Sequence, residues 1–152
     1  MYKRQVGKLL NLEYPGGPKV SKLAEKGDKN KFSFPRAMMK DKNLNFSFSG
    51  LKTAVLYALE DLSEGDYPDV AASFQEAVIE VLTTKLSWAV EETGIKKLVC
   101  SGGVASNQLL RDRLKALAEE QDLQLSYPSM EFCTDNAAMI AYAGYILSLI
   151  HI

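Results

Sequence analysis

Apolar residues recur at intervals of three and four over one long stretch of the chain, and this period predicts an amphipathic helix from Asp69 to Thr93. Gly94 follows at once, and glycine is typical of the residue that ends a helix. The apolar positions form one stripe, which we expect to face a core: Val70, Phe74, Ala77, Val78, Val81, Leu82, Leu86, Ala89 and Val90.

Shorter patterns predict the other elements. Short apolar or alternating runs predict strands at Leu44–Phe48, Lys96–Cys100 and Leu123–Ser126, the second of them buried. Period and capping residues predict helices at Val6–Leu12, Lys19–Lys26, Gly50–Leu62 capped by Ser49, Ser106–Gln121, and Asn136–Ile146 capped by Thr134 or Asp135. Turns or loops are expected at Tyr14–Pro18, Asn30–Lys42, Ser63–Tyr67 and Pro128–Cys133. Alternation of strands and helices predicts an α/β fold with a partly parallel sheet.

Composition bounds the class of protein. The chain has 152 residues, of which 47% are hydrophobic and 24% charged, which suits one domain or one lobe with a buried core. Eighteen basic residues against nineteen acidic ones give a net charge of −1, so a nucleic-acid partner would need a local basic face or a second subunit. Two cysteines form neither a disulfide framework nor a four-cysteine zinc site, and they favour the reducing cytoplasm. The apolar tract 137–152 is too short for a membrane span and predicts a buried helix.

The two ends of the chain match one foreign sequence. Residues 147–152, Leu-Ser-Leu-Ile-His-Ile, are the translation of one strand of a transposon end common in sequencing adapters. The complementary strand encodes Val-Tyr-Lys-Arg-Gln, which becomes residues 1–5, Met-Tyr-Lys-Arg-Gln, when its first codon, GTG, serves as a start codon. We therefore expect adapter-derived scars at 1–5 and 147–152, and a native segment 6–146 that is an internal piece of a longer protein. On this interpretation the single histidine, His151, is not native.

Ser101-Gly102-Gly103-Val104 with Asn107 is the first candidate for chemistry. It lies between a predicted strand and a predicted helix, where open α/β sheets bind ligands. Glycines permit close backbone approach, and unpaired N–H groups at a helix start attract phosphate. An equally good interpretation from local residues is a tight strand-to-helix turn.

Three further segments allow both a functional and a plain structural interpretation. Asp135 in Cys133-Thr134-Asp135-Asn136 could bind a metal or, more simply, cap a helix. Lys52 in the first turn after Phe46-Ser47-Phe48-Ser49-Gly50 hints at an anion, although a solvated lysine is preferred. The pair Gly16-Gly17 reads either as a ligand-binding turn or as a simple loop.

The remaining reactive or charged residues favour structural roles. We expect Cys100 in the core and Cys133 in a loop near Asp135, and no native histidine is present to activate either thiol. Aromatic residues on the long helix are read as packing. Lys96, Lys97, Arg111 and Arg113 are most simply read as solvated faces, and the alternative is a weak basic patch for RNA.

Taken together, the motifs resemble one family. Tyr14–Pro18, Phe46–Thr53, Ser101–Asn107 and Phe132–Gly144 occur in the order seen in the C-terminal half of the tRNA threonylcarbamoyladenosine transferases (TsaD), formerly described as O-sialoglycoprotein endopeptidases. The resemblance covers essentially residues 6–146. It implies one lobe of the two-lobed fold of actin, sugar kinases and Hsp70. No nucleophile and base for the former protease description are present.

The resemblance implies an acyl transfer from threonylcarbamoyl-AMP to N6 of adenosine 37 in tRNAs that read ANN codons. Carried over by motif, Gly17, Gly102, Gly103 and Asn107 hold the nucleotide, and Asp135 is a ligand of one divalent metal, iron or alternatively zinc. The implied partners are tRNA, an inactive paralogue subunit and a P-loop ATPase subunit, in the cytoplasm and away from membranes.

The chain departs from the family pattern in two ways. The two histidines of the family's H-x-x-x-H metal motif are absent, and Arg4 stands where the family has an aspartate that contacts the adenylate ribose. We therefore expect the chain alone to be inactive and to bind nucleotide and metal weakly. Alternative interpretations are the inactive paralogue or a scaffold lobe, and another nucleotide-binding enzyme of the actin-like fold, such as a kinase or ATPase.

Overall fold

The computed structural model describes residues 2–150, with side chains for residues 5–148. His151, the outermost scar residues and the side chain of Arg4 lie outside this description. The chain forms two compact units that meet in sequence at Gly94 and Ile95. The first unit contains helices α1 (Tyr2–Leu9), α2 (Gly16–Ala24), α3 (Ser49–Leu59) and α4 (Tyr67–Thr93), with a 3-10 turn at Glu64–Asp66. The second contains β1 (Lys97–Val99), a 3-10 turn at Gly103–Ser106, α5 (Gln108–Glu120), β2 (Gln124–Ser126), a 3-10 turn at Met130–Phe132 and α6 (Ala137–Ile150).

Helix α4 organises the first unit and confirms the predicted long helix. Pro68 occupies its first turn, and Gly94 ends it with a left-handed φ of 68°. The helix packs against α2 and α3, and α1 packs against α2 and α3. The residues of the predicted apolar stripe of α4 are partly or fully buried, and its first half belongs to the core that these helices form. The buried residues of this core are Val6, Leu10, Val20, Ala24, Phe34, Leu51, Val55, Val70, Ala71, Ala72, Phe74 and Ala77.

The double-glycine segment differs from the prediction. Helix α2 begins at Gly16, so Gly16, Gly17 and Pro18 form its first turn, and the interpretation as a simple loop is wrong. The helix ends before Gly27, where an added Cβ would overlap the backbone of Pro68. Glycine at position 27 therefore allows the end of α2 to approach the start of α4 closely.

No strand forms at Leu44–Phe48, which the alternating pattern predicted. Instead, the buried Lys85 of α4 holds the loop that precedes this segment, since its Nζ donates to the backbone oxygens of Met38 at 2.8 Å and Asn43 at 2.7 Å. The same Nζ lies 5.9 Å from the centroid of the Phe46 ring. The prediction that Ser49 caps α3 is also wrong, because Ser49 is already the first helical residue. A strand requires a hydrogen-bonded neighbour, and alternation along one segment carries no information about that neighbour.

The second unit confirms the strand–helix–strand prediction. Strands β1 and β2 are parallel, with Leu98 opposite Leu125, and α5 connects them. Two expectations of burial are wrong: Val99 in β1 is 79% exposed, and the described side chains of α6 from position 137 onward are exposed. Neither Thr134 nor Asp135 caps α6. Asn136 does so, because its Oδ1 accepts from the Met139 N–H at 3.1 Å.

Among residues 2–150, we find no helix that combines the length and the apolar character needed to span a bilayer.

Candidate functional site

Two loops of the second unit carry most of the predicted site residues. The glycine loop, residues 101–107, follows β1, and the acidic loop, residues 128–136, follows β2. Because the strands are parallel, both loops leave the same edge of the sheet, the edge at which open α/β folds bind ligands. The loops adjoin: an added Cβ on Gly103 would lie 4.0 Å from Cγ2 of Thr134.

Gly102 gives the glycine loop its shape. Its φ of 86° and ψ of 171° belong to a region of backbone conformation that is essentially restricted to glycine. The chain then turns tightly, with the Ala105 N–H donating to the Gly102 oxygen at 2.9 Å and the Ser106 hydroxyl to the Gly103 oxygen at 2.7 Å. An added Cβ on Gly102 would meet no atom of the described chain within 4 Å, so this side of the loop is open to a ligand.

Asn107 is the N-cap of α5. Its side chain is 6% exposed, and its Oδ1 accepts from the Leu110 N–H at 2.9 Å. The helix therefore begins at Gln108, two residues after the predicted start at Ser106. Asn107 is also the last residue of the glycine loop, so the N-terminus of α5 adjoins that loop. A direct contact of Asn107 with a nucleotide stays a prediction.

Arg111 joins the two loops and was missed by sequence reasoning, which read it as a solvated residue. Its Nε donates to the Ala105 oxygen at 2.6 Å, and its Nη2 donates to the Pro128 oxygen at 2.9 Å and to Cys133 Sγ at 3.1 Å. The guanidinium also lies over the Tyr127 ring, 4.4 Å from its centroid. The spacing along the sequence contained a sign of this role. Arg111 lies one helical turn after Asn107, so it shares the face of α5 that carries the end of the glycine loop.

The two cysteines have different surroundings. Cys133 is 1% exposed inside the acidic loop, where sequence analysis placed it. Cys100 is half-buried at the end of β1, so the expectation of a core position is met only in part. Burial raises the pKa of the Cys100 thiol above its ordinary value, and the neighbouring Arg111 charge opposes that rise.

Asp135 is exposed on the acidic loop. The part of the chain that the structure describes contains no group of three His, Cys, Asp or Glu side chains placed to hold a metal. Catalytic zinc centres use three protein ligands, and non-haem iron centres use two histidines and a carboxylate. The described residues alone therefore do not complete a centre of either kind, and Asp135 would supply one ligand only to a site completed by other residues.

Gly17 belongs to the first unit, whereas the other predicted site residues belong to the second. It lies in the first turn of α2, and an added Cβ would meet no atom within 4 Å. Neither crowding within the unit nor a left-handed φ requires glycine at this position. Glycine here is thus consistent with close approach of a ligand to the backbone.

The second unit is a parallel βαβ unit with a glycine loop at the carboxyl edge of its strands, and this defines an α/β protein. The sequence profile of TsaD, the tRNA N6-adenosine threonylcarbamoyltransferases, matches residues 3–142. The chain belongs to this family. The predicted fold class, one lobe of an actin-like fold, is thereby confirmed.

Curated relatives agree with the family match. The tRNA N6-adenosine threonylcarbamoyltransferase of Thermosipho africanus is 51% identical over 145 residues, which cover 94% of this chain and 44% of the relative. That of Herminiimonas arsenicoxydans is 50% identical over 141 residues, covering 90% of this chain and 41% of the relative. That of Kosmotoga olearia is 51% identical, with 93% and 42% covered. The chain thus spans less than half the length of these relatives.

Proposed function

We propose that the protein containing this chain transfers a threonylcarbamoyl group from threonylcarbamoyl-AMP to N6 of adenosine 37 in tRNAs that read ANN codons. The exocyclic N6 attacks the carbamoyl carbon and forms the new C–N bond. The bond from that carbon to the phosphate oxygen of AMP breaks, N6 loses one proton, and AMP leaves. Such a reaction needs a gripped adenylate, an oriented carbonyl and stabilisation of charge on the leaving phosphate.

The observation that carries the proposal is the coincidence of the family match with the loop geometry. Relatives of about half-identical sequence bear the transferase name, and the match includes both adjoining loops. The open backbone at Gly102 and the capped start of α5 supply the kind of surface that binds a nucleotide phosphate.

Within this proposal, the family resemblance assigns nucleotide binding to Gly102, Gly103 and Asn107 of the second unit and to Gly17 of the first. Asp135 contributes one ligand to a divalent metal, iron or alternatively zinc, whose other ligands come from outside this chain. A metal of this kind would supply Lewis acidity when bound. The described residues lack a complete metal-ligand set, and Arg4 stands where the family has the aspartate that contacts the ribose. The isolated chain is therefore expected to bind metal and nucleotide weakly and to be inactive.

The proposed partners are tRNA, an inactive paralogue subunit and a P-loop ATPase subunit, in the cytoplasm. These proposals come from the resemblance to the family. The charge of the chain supports the need for a partner, because a net charge of −1 provides no general attraction for tRNA.

The alternatives have less support. The transferase name of the curated relatives disfavours a kinase or ATPase. Asn107 and Asp135, which the inactive paralogue would be expected to lack, are both present.

The proposal can be tested with a chimera in which residues 6–146 of this chain replace the matching segment of the Thermosipho africanus relative, so that Arg4 and the expected scars are left out. We expect the chimera to form threonylcarbamoyladenosine from threonylcarbamoyl-AMP and tRNA, measured by mass spectrometry of nucleosides. A folded but inactive chimera, beside an active parent protein, would contradict the proposal. Turnover by the isolated chain would contradict its predicted inactivity.

Gly17 offers a sharper test of the pocket. Gly17→Ala adds one methyl group where the structure has open space, so the chimera should fold as before. If the methyl group enters the adenylate site, KM for threonylcarbamoyl-AMP should rise while KM for tRNA stays unchanged. Gly65→Ala is the matched control, because Gly65 is an exposed turn residue whose added Cβ makes only ordinary contact with Ser63.

A further inference from the structure

We propose that Arg111 is a positioning residue that holds the glycine loop and the acidic loop in one fixed arrangement. The proposal concerns the geometry of this chain. Its consequence for substrate rests on the proposed transferase function.

The guanidinium is well placed to join two segments. Its planar set of N–H donors reaches the Ala105 oxygen in the glycine loop, at 2.6 Å from Nε, and the Pro128 oxygen in the acidic loop, at 2.9 Å from Nη2. The same Nη2 lies 3.1 Å from Cys133 Sγ. Arginine presents its donors in a rigid fork, so a bond to one loop fixes the direction of the bonds to the other.

Tyr127 restrains the plane of this fork. The centre of the guanidinium lies 4.4 Å from the centroid of the Tyr127 ring, within the distance of a cation–π contact. Tyr127 directly follows β2, so the contact ties the orientation of Arg111 to the end of the sheet. The side chain is thereby held against rotation as well as against withdrawal.

Cys133 links Arg111 to Thr134 and Asp135, the next residues of the acidic loop. It is 1% exposed, and its Sγ lies 3.5 Å from the Ser129 oxygen, which closes the acidic loop on itself. Thr134, the next residue, adjoins Gly103, and Asp135 follows. The contact between Arg111 and Cys133 therefore sets where Asp135 stands relative to the glycine loop.

A lysine at position 111 would not reproduce the contacts of Arg111 with both loops. Its ammonium is a compact charge at the end of a flexible stem and lacks the planar fork. Arg111→Lys should keep the charge and lose the simultaneous hold on both loops, while Arg111→Ala loses both. A role limited to charge would be rescued by lysine, whereas a positioning role would not.

The first experiment measures how fast a maleimide reagent labels Cys133 in the full chain under native conditions, with peptide mass spectrometry to separate it from Cys100. We expect Arg111→Ala to raise the Cys133 rate at least about tenfold, and Arg111→Lys to raise it by a smaller factor. Arg113→Ala is the matched charge control, because it removes the same charge from an exposed position of α5. Leu114→Ala is the stability control, since Leu114 is buried one turn further along α5.

An unchanged Cys133 rate in Arg111→Ala would overturn the proposal. So would Leu114→Ala raising the rate as much as Arg111→Ala at an equal loss of unfolding midpoint, because Arg111 would then be an ordinary stabilising residue. A selective rise with Arg111→Ala, while Arg113→Ala matches the parent chain, supports the positioning role.

The second experiment measures steady-state kinetics in the Thermosipho africanus chimera. A displaced loop should lower kcat/KM for threonylcarbamoyl-AMP by up to roughly 100-fold in Arg111→Ala, with KM for tRNA unchanged. Equal changes in both KM values, or full rescue by Arg111→Lys, would contradict positioning of the adenylate. A chimera without any transfer activity would refute the proposed function, while the labelling rates would still decide the role of Arg111.

Discussion

The two units of the chain are stabilised in different ways. The first unit buries a continuous apolar core in which α4 contacts α2 and α3. The second unit buries only a few apolar side chains among its described residues and exposes much of α6 and β1. Its buried apolar residues are Ala105, Leu110, Leu114, Ala118 and Cys133.

In the second unit, hydrogen bonds and capping interactions supply stability that the small apolar core does not provide. Backbone pairing joins β1 to β2, Asn107 caps α5, and Arg111 ties the two loops. In the first unit, apolar packing fixes the helices, and a buried polar side chain such as Lys85 attaches a loop to them. We therefore expect the stability of the first unit to fall most when a buried apolar side chain is truncated. The stability of the second unit should fall most when a hydrogen bond is removed.

The largest effect is expected from Phe74→Ala. Phe74 is 0% exposed in the core of the first unit, and truncation of a buried phenylalanine costs about 3–5 kcal/mol. Urea unfolding followed by circular dichroism measures this loss, and Phe74→Leu should retain most of the stability. A loss below about 1 kcal/mol would show that the core tolerates a cavity, and would contradict the conclusion that apolar packing stabilises the first unit.

Lys85→Met should have the next largest effect and a local one. Lys85 is 1% exposed, and its ammonium donates to Met38 and Asn43 with the Trp88 ring 5.1 Å away. Each hydrogen bond to a charged group contributes about 1.5–3 kcal/mol to folding stability. The loss of these bonds is offset in part because methionine removes the cost of burying a charge. We expect faster hydrogen exchange across 38–46 with α4 still protected. Lys26→Met, at an exposed position, is the control.

Asn107→Ala probes the second unit with a smaller change. Loss of an N-cap costs about 0.5–2 kcal/mol, and the first turn of α5 should exchange its amide hydrogens faster. Asn107→Asp should restore the cap, because aspartate accepts the same Leu110 N–H and suits a helix N-terminus. Equal stability of the alanine and asparagine forms would contradict the role of the cap.

The smallest effect concerns pH. Burial raises the pKa of Cys100 in the folded chain, so alkylation of Cys100 should need a higher pH than alkylation of a cysteine in a short peptide. The unfolded thiol loses its proton first as pH rises, so the folded state loses stability between the unfolded and the folded pKa. A pH profile of labelling identical to that of the peptide would contradict the shift.

Local patterns in the sequence were sufficient for several elements. A period of three to four with Gly94 at its end predicted α4, because an amphipathic helix is specified by the spacing of its own residues. The strand–helix–strand order predicted parallel β1 and β2. The motifs around Gly102 and Asp135 indicated the family and the two loops, since glycine and turn residues act on the backbone beside them.

Features that join distant segments required the folded chain. The alternation at Leu44–Phe48 found no strand partner, and Lys85, about forty residues later, holds the preceding loop instead. Arg111 looked like one more charged residue on a helix surface, yet it contacts residues on either side of it in sequence. A side chain's hydrogen-bond partners depend on which backbone groups the fold brings within about 3 Å, and residue spacing along the chain does not contain that distance.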